Sequence, residues 1–136
     1  MEIVTVRHNP QSMTLTVSCS GRFGVGSRGN VSGDLIARTV KGWIAANSKQ
    51  QLAVIEVDYT RVEYAWGDGP VSSLVVFIQH GIQRFRLIAG PSNSNSLKNL
   101  LESCRLPGFE LVRKDEVEGQ HVITPVALTN AREGFS

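Results

Sequence analysis

Several groups of residues have types and spacings that suit chemistry. Gly24-Val25-Gly26-Ser27-Arg28-Gly29 spells GxGxxG, a pattern whose glycines let a strand-to-helix turn bring backbone amides up to a pyrophosphate. Arg22 and Arg28 beside unhindered amides suit an anion as well. The next helix is expected to begin several residues later, so the segment reads first as a flexible loop, with an anion- or nucleotide-binding site at Gly24, Gly26, Arg28 and Gly29 as the alternative. Glu56 and Asp58 stand two apart on an expected strand and share a face, as a carboxylate pair would; hydrogen bonding of Asp58 to turn amides and partial solvation of Glu56 account for them better. Arg84 and Arg86 share a strand face likewise and form a modest basic spot.

Catalytic and metal-binding patterns find little support. His8, His80 and His121 are scattered, without HExxH spacing, and the two cysteines supply no second ligand pair. Cys19 and Cys104 lie on apolar-rich segments and read as small core residues. No Gly-x-Ser-x-Gly elbow occurs, so acyl-transfer chemistry has no visible nucleophile. The expectation is a protein that is not an enzyme, with no cofactor and no metal.

Bulk composition narrows the class. A chain of 136 residues with a formal charge of +2 suits one globular domain and does not by itself imply nucleic acid. The longest apolar run, Leu74-Val75-Val76-Phe77-Ile78, falls far short of the roughly 20 residues a membrane span needs. No basic-then-apolar leader opens the sequence. A cytoplasmic location without membrane insertion is expected.

The elements that must position these residues follow from periodicity. Ile3 to Val6 and Met13 to Cys19 alternate and are β-branched, and Asn9-Pro10-Gln11-Ser12 supplies turn chemistry between them, which predicts an antiparallel hairpin. Ser20 to Asn30 is glycine-rich and predicts a loop. Ser32 or Asp34 then caps a helix carrying Leu35, Ile36, Val40, Trp43 and Ile44 at helical spacing and ending near Asn47. Leu52 to Val57 is nearly continuous in apolar residues, as in a strand covered on both faces. A second helix shows Val71, Leu74, Val75 and Ile78 on one side, with Pro70 in its first turn and Gly81 at its C-cap.

Phe85 to Ala89 predicts a further strand. Gly90 to Asn95 breaks the chain, and Ser94 or Ser96 caps a third helix bearing Leu97, Leu100, Leu101 and Cys104. Leu106-Pro107-Gly108 stops it before a last strand at Phe109 to Val112. The predicted fold class is α/β: a mostly parallel mixed sheet with an N-terminal hairpin and helices packed on it. The domain is expected over 1–118, with 119–136 a tail or accessory segment.

Within this frame, Asp58-Tyr59-Thr60-Arg61-Val62-Glu63-Tyr64-Ala65-Trp66-Gly67-Asp68-Gly69 runs from a buried strand through a polar turn to a helix start. The stretch resembles the signature of the STAS family, the domain of anti-sigma-factor antagonists and of the cytoplasmic tails of sulfate transporters. There the strand leads into Asp-Leu-Ser-Gly-Val, a Tyr or Phe, and Asp-Ser-Ser/Thr-Gly, whose first Ser is the regulatory phosphorylation site. Asp58, Thr60, Val62, Tyr64 and Gly69 keep that frame. Ser20-Gly21, Pro91-Ser92 and Leu100-Leu101-Glu102 followed by Leu106 stand where the family has related residues, so the resemblance covers about residues 3 to 112.

The resemblance implies a non-enzymatic interaction domain of bacterial signalling type. Its partners would be a serine-kinase-like anti-sigma factor, another STAS domain or a transporter complex, with a homodimer left open. The turn Asp58, Trp66, Gly67, Asp68, Gly69 and Ser72 would be the partner-binding site. Gly67 takes the place of the phosphorylatable serine and has no hydroxyl, so a constitutive binder, scaffold subunit or small-ligand sensor is expected rather than a phosphorylation switch.

Asp68 has two readings: an N-cap for the second helix, or a permanent acidic surface. Trp66 either folds onto the core or, the reading its polar flanks favour, stands out as an interface anchor. Ser72 and Ser73 either accept phosphate in place of the missing serine or are simply small residues where a helix packs closely.

Overall fold

Leu15 and Val17, Ile55 and Val57, Phe85 and Leu87, and Phe109 and Leu111 take alternate positions of four strands and are all buried. Period-two patterning thus gives the sheet one apolar face. The computed structural model of the chain describes residues 1–25 and 27–128, with residues 27–29 described by backbone alone. Its elements run β1 Glu2–Asn9, β2 Thr14–Arg22, α1 Ser27–Ala46, β3 Val54–Glu63, α2 Gly69–Val75 continued by a 3₁₀ turn Val76–His80, β4 Arg84–Ala89, α3 Ser94–Cys104, β5 Phe109–Val117 and β6 Gln120–Val126.

The six strands lie side by side in chain order. β1 pairs antiparallel with β2, β2 through β5 are parallel neighbours, and β6 returns antiparallel along β5. Crossovers of one hand between successive neighbours put all three helices on the same side of the sheet. Ile36 and Val40 of α1, Leu74 of α2, Phe77 of the 3₁₀ turn, and Leu97 and Leu101 of α3 accordingly join the apolar strand face in one core. The opposite face carries no helix, and its residues are largely polar. The chain is an α/β protein with an N-terminal hairpin, as its periodicity predicts.

Several boundaries differ from the sequence reading, each for a physical reason. α1 begins at Ser27 rather than at Ser32 or Asp34. Ser32 is buried and its Oγ accepts a hydrogen bond from the Gly24 N–H at 3.1 Å, while Gly33 lies so close to α2 that an added Cβ would sit 3.2 Å from the Gly69 carbonyl oxygen. Tertiary contacts therefore hold a polar, glycine-containing segment in a helix that its propensity alone does not favour. The objection that the helix starts too late for the GxGxxG pattern falls with this correction.

β3 continues past Val57 to Glu63, burying Tyr59 and Val62 on the core side. Along α2 the spacing tightens into the 3₁₀ turn, whose three residues per turn bring Phe77 inward and leave Ile78, expected on the buried face, 47% exposed. Gly81 closes this turn in the left-handed region, as expected of a C-cap. Asn93, not Ser94 or Ser96, occupies the N-cap of α3. Beyond Glu118, β6 adds a sixth strand that extends the sheet to Val126. Residues 129–136 lie outside the described residues.

Candidate functional site

The loops at the carboxyl ends of the parallel strands gather Gly24, Trp66, Gly67, Asp68 and Gly69, and this is the end at which open α/β sheets commonly bind ligands. Tyr64 closes β3's exit. Its ring is buried edge-on against Phe23, 5.9 Å between centroids, and its hydroxyl donates to the Gly67 carbonyl at 2.5 Å. Burial, followed by the nearby Cys104 and Asp68, pushes the Tyr64 phenol up to about 12, so it remains a donor near neutral pH. Gly67 adopts φ +113°, a conformation L side chains rarely take. A side chain at this position would be strained by the backbone although the space around it is open.

Asn93 pins the same corner from below. It is 1% exposed; its Oδ1 accepts from the Gly90 N–H at 2.9 Å, and its Nδ2 donates to the carbonyls of Tyr59 and Val62 at 2.8 and 2.9 Å. Gly90 passes so close to β3 that a Cβ there would lie 3.0 Å from the Thr60 carbonyl oxygen. One asparagine thereby satisfies three buried backbone groups and ties the β4–α3 loop to the end of β3. Nothing in its local sequence distinguishes it from a loop residue; only the absence of another partner for these groups could have pointed to it.

On this support Trp66 stands 59% exposed. Asp68 takes the N-cap position of α2 but makes no side-chain cap bond, the first bonds going instead to its carbonyl from Val71 and Ser72. Its carboxylate is left at the surface, which corrects the capping account. Trp66, Gly67, Asp68 and Gly69 border a recess of about 310 Å³ with Phe23 and Gly24. A second recess of about 440 Å³ shares Phe23 and Gly24 and reaches Val25, Tyr64 and Ser92. Gly24, the first residue of the glycine-rich motif, and the turn after β3 are therefore neighbours on one surface.

Not every predicted residue joins them. Asp58 lies in mid-strand on the open face, because β3 runs on to Glu63, and it borders a different recess with Arg7 and Lys114. Ser72 is exposed on α2, its Oγ 3.5 Å from the Gly69 carbonyl, and Ser73 is buried. Gly24 is present in both recesses, but its N–H is already engaged by Ser32. Gly26 and the Arg28 side chain lie outside the described residues, while Gly29 falls in the first turn of α1.

The remaining chemistry-bearing groups are dispersed. Burial, reinforced by Asp58, pushes the Cys19 thiol up to about 12, and burial followed by Asp68 raises Cys104, so neither favours a thiolate near neutral pH. His8 is half-buried against Trp43, His80 contacts Phe77, and His121 is exposed on β6. No cluster of three or more potential metal ligands occurs among the described residues. No helix among them is long and apolar enough to cross a membrane. Compared with known proteins, the chain matches no family model, no curated protein and no solved structure.

Proposed function

We propose that this chain is a non-enzymatic protein-interaction domain of the STAS type, a cytoplasmic signalling or scaffold module that presents the turn after β3 to another protein. The observation that carries this reading is Trp66, 59% exposed on a turn pinned by the Tyr64 hydroxyl, with the unengaged Asp68 carboxylate beside it. An exposed, preorganised tryptophan next to a charge is a common form of interface anchor. The turn occupies the place where the resembled family carries its regulatory serine. The partner classes are those the resemblance implies: a serine-kinase-like anti-sigma factor, another STAS domain or a transporter complex. With glycine at position 67, Asp68 holds the surface permanently acidic.

Affinity capture from the source cell, followed by mass spectrometry, tests this with the full chain and its Trp66→Ala and Asp68→Ser variants. A histidine-kinase-type ATPase, a second STAS protein or a transporter component should be retained by the natural chain and lost with Trp66→Ala. Equal retention by both variants defeats the reading.

A second reading keeps Gly24 to Gly29 as an anion or nucleotide cradle. In its favour, α1 begins at Ser27 and the β2–α1–β3 crossover is parallel, the setting that fingerprint requires. Against it, one amide of the cradle is already bonded to Ser32. Saturable nucleotide binding, followed by tryptophan fluorescence and dependent on Arg28, would favour this reading over the first.

A further inference from the structure

The helix-free face carries a recess of about 250 Å³ where β1, β2 and β3 run side by side. Two irregularities meet there. Between Ile3 and Thr5, β1 carries an extra residue opposite β2, and between Asp58 and Arg61, β3 carries an extra residue opposite Ser18 to Ser20. Bulges interrupt the ladder and re-aim side chains, and they occur preferentially beside functional sites. The bulge in β3 shifts Arg61 into register with Ser20 on the open face; without it, alternation from Tyr59 would turn Arg61 toward the core. Asp58 Oδ1 accepts from both the Thr60 N–H at 2.9 Å and the Thr60 hydroxyl at 2.5 Å, satisfying groups next to the interrupted ladder.

The charges around the recess are unbalanced. Arg7, Arg61 and Lys114 border it, against the single carboxylate of Asp58. Lys114 extends beyond the end of β4, which pairs with β5 only as far as Ala89, and its Nζ reaches to 4.0 Å from Asp58 Oδ2. Of the nearby acids, Glu56 and Glu110 are engaged by Arg84 and Arg86, and Glu2 accepts from the Ser20 hydroxyl at 3.3 Å outside the recess. Among the described residues Arg7 and Arg61 have no acidic partner. Ser18 and Thr60 add hydroxyls to the same rim.

We infer that this recess is a binding site for a small dianion of the phosphate type, held by Arg7, Arg61 and Lys114. Guanidinium groups form charge-assisted, directional hydrogen bonds to such oxyanions. A recess of about 250 Å³ is ample for an oxyanion the size of phosphate. The site lies on the opposite side of the sheet core from the helices and is independent of the proposed protein-binding turn.

Inorganic phosphate, titrated into the full chain and followed by amide chemical shifts, tests the inference. Saturable shifts should centre on Thr5, Ser18, Thr60 and Arg61. The double change Arg7→Gln and Arg61→Gln should weaken binding by about tenfold or more. Arg84→Gln, on the same face but outside the recess, should change it by less than about twofold. Asp58→Asn keeps an acceptor for Thr60 and removes the carboxylate that lines the recess, so it should tighten binding. Absence of saturable shifts, unchanged affinity in the double variant, or binding confined to vesicles of anionic phospholipid would each overturn the inference. Trp66→Ala should leave phosphate binding intact, which separates this test from that of the interaction surface.

Discussion

On the covered side of the sheet, alternate residues of the four central strands, Leu15 and Val17, Ile55 and Val57, Phe85 and Leu87, and Phe109 and Leu111, are apolar and sealed under the helices. On the open side, the same strands set Thr16, Glu56, Arg86 and Glu110 in one ladder, linked by hydrogen bonds of 3.0, 2.9 and 3.1 Å. The contrast is sharpest between consecutive residues of β4: Leu87 is fully buried, whereas the Arg86 side chain retains 30% exposure between two glutamates. Buried apolar area sets stability on one side, and screened charges contribute less on the other. The open side is therefore free to vary its charge pattern, and binding chemistry can be placed there without undoing the core.

Paired substitutions at these neighbours give the largest test of that contrast. Leu87→Ala should lower stability by about 3–4 kcal/mol, the transfer and cavity cost of a sealed leucine. Arg86→Met should lower it by about 1–2 kcal/mol, since it keeps the aliphatic stem but leaves Glu56 and Glu110 facing each other without their cation. Urea unfolding of the two variants checks both values; equal losses would erase the distinction between the faces.

Alkaline unfolding probes the covered side through two buried acids, Cys19 and Tyr59. Burial holds the Cys19 thiol up to about 12, from an ordinary value of 9.0, and raises Tyr59 well above 10.0. The unfolded chain releases these protons first, so their contribution is complete below about pH 9 and is lost as pH rises toward 12. For Cys19 the loss should reach roughly 2–3 kcal/mol by about pH 11. Cys19→Ala should flatten the fall in denaturant midpoint between pH 9 and 11, leaving the tyrosine contribution; an identical pH profile in the variant would remove Cys19 as a source.

Gly67→Ser should cost about 1–2 kcal/mol, because a side chain would be forced to φ +113° at a turn where space is otherwise open. Thermal unfolding measures the loss. A stable Gly67→Ser protein would show that the turn relaxes, and restoring the hydroxyl of the resembled family would then be a simple substitution.

How far the sequence reaches depends on which force dominates locally. The four parallel strands and the helices behind them are legible because each buries a regular apolar face, as Leu15/Val17 and Leu97/Leu101 do. The first turns of α1 were hidden because Gly29, Asn30 and Gly33 are poor helix formers held by contacts with Gly24 and α2. The full length of β3 was hidden by Asp58 and Thr60, polar residues that face away from the core at a bulge. β6 is exposed along nearly its whole length and so shows no buried face to read. At the candidate site, Trp66, Gly67 and Asp68 were visible as departures from a pattern, whereas Asn93 works only through partners distant in sequence.

The smallest effect on stability is expected at Trp66, where exposure makes the loop end resemble the open face rather than the covered one. Trp66→Ala removes a large side chain with most of its surface already in water, so stability should change by no more than about 0.5 kcal/mol. The turn itself is held by the Tyr64 hydroxyl and by Asn93, neither of which the substitution touches. Urea unfolding of Trp66→Ala, followed by circular dichroism, should therefore overlay that of the natural chain, while capture of the protein partner is lost. A loss near that of Leu87→Ala would mean that Trp66 covers core surface and acts as part of the fold, and the tryptophan would then cease to be an anchor available to another protein.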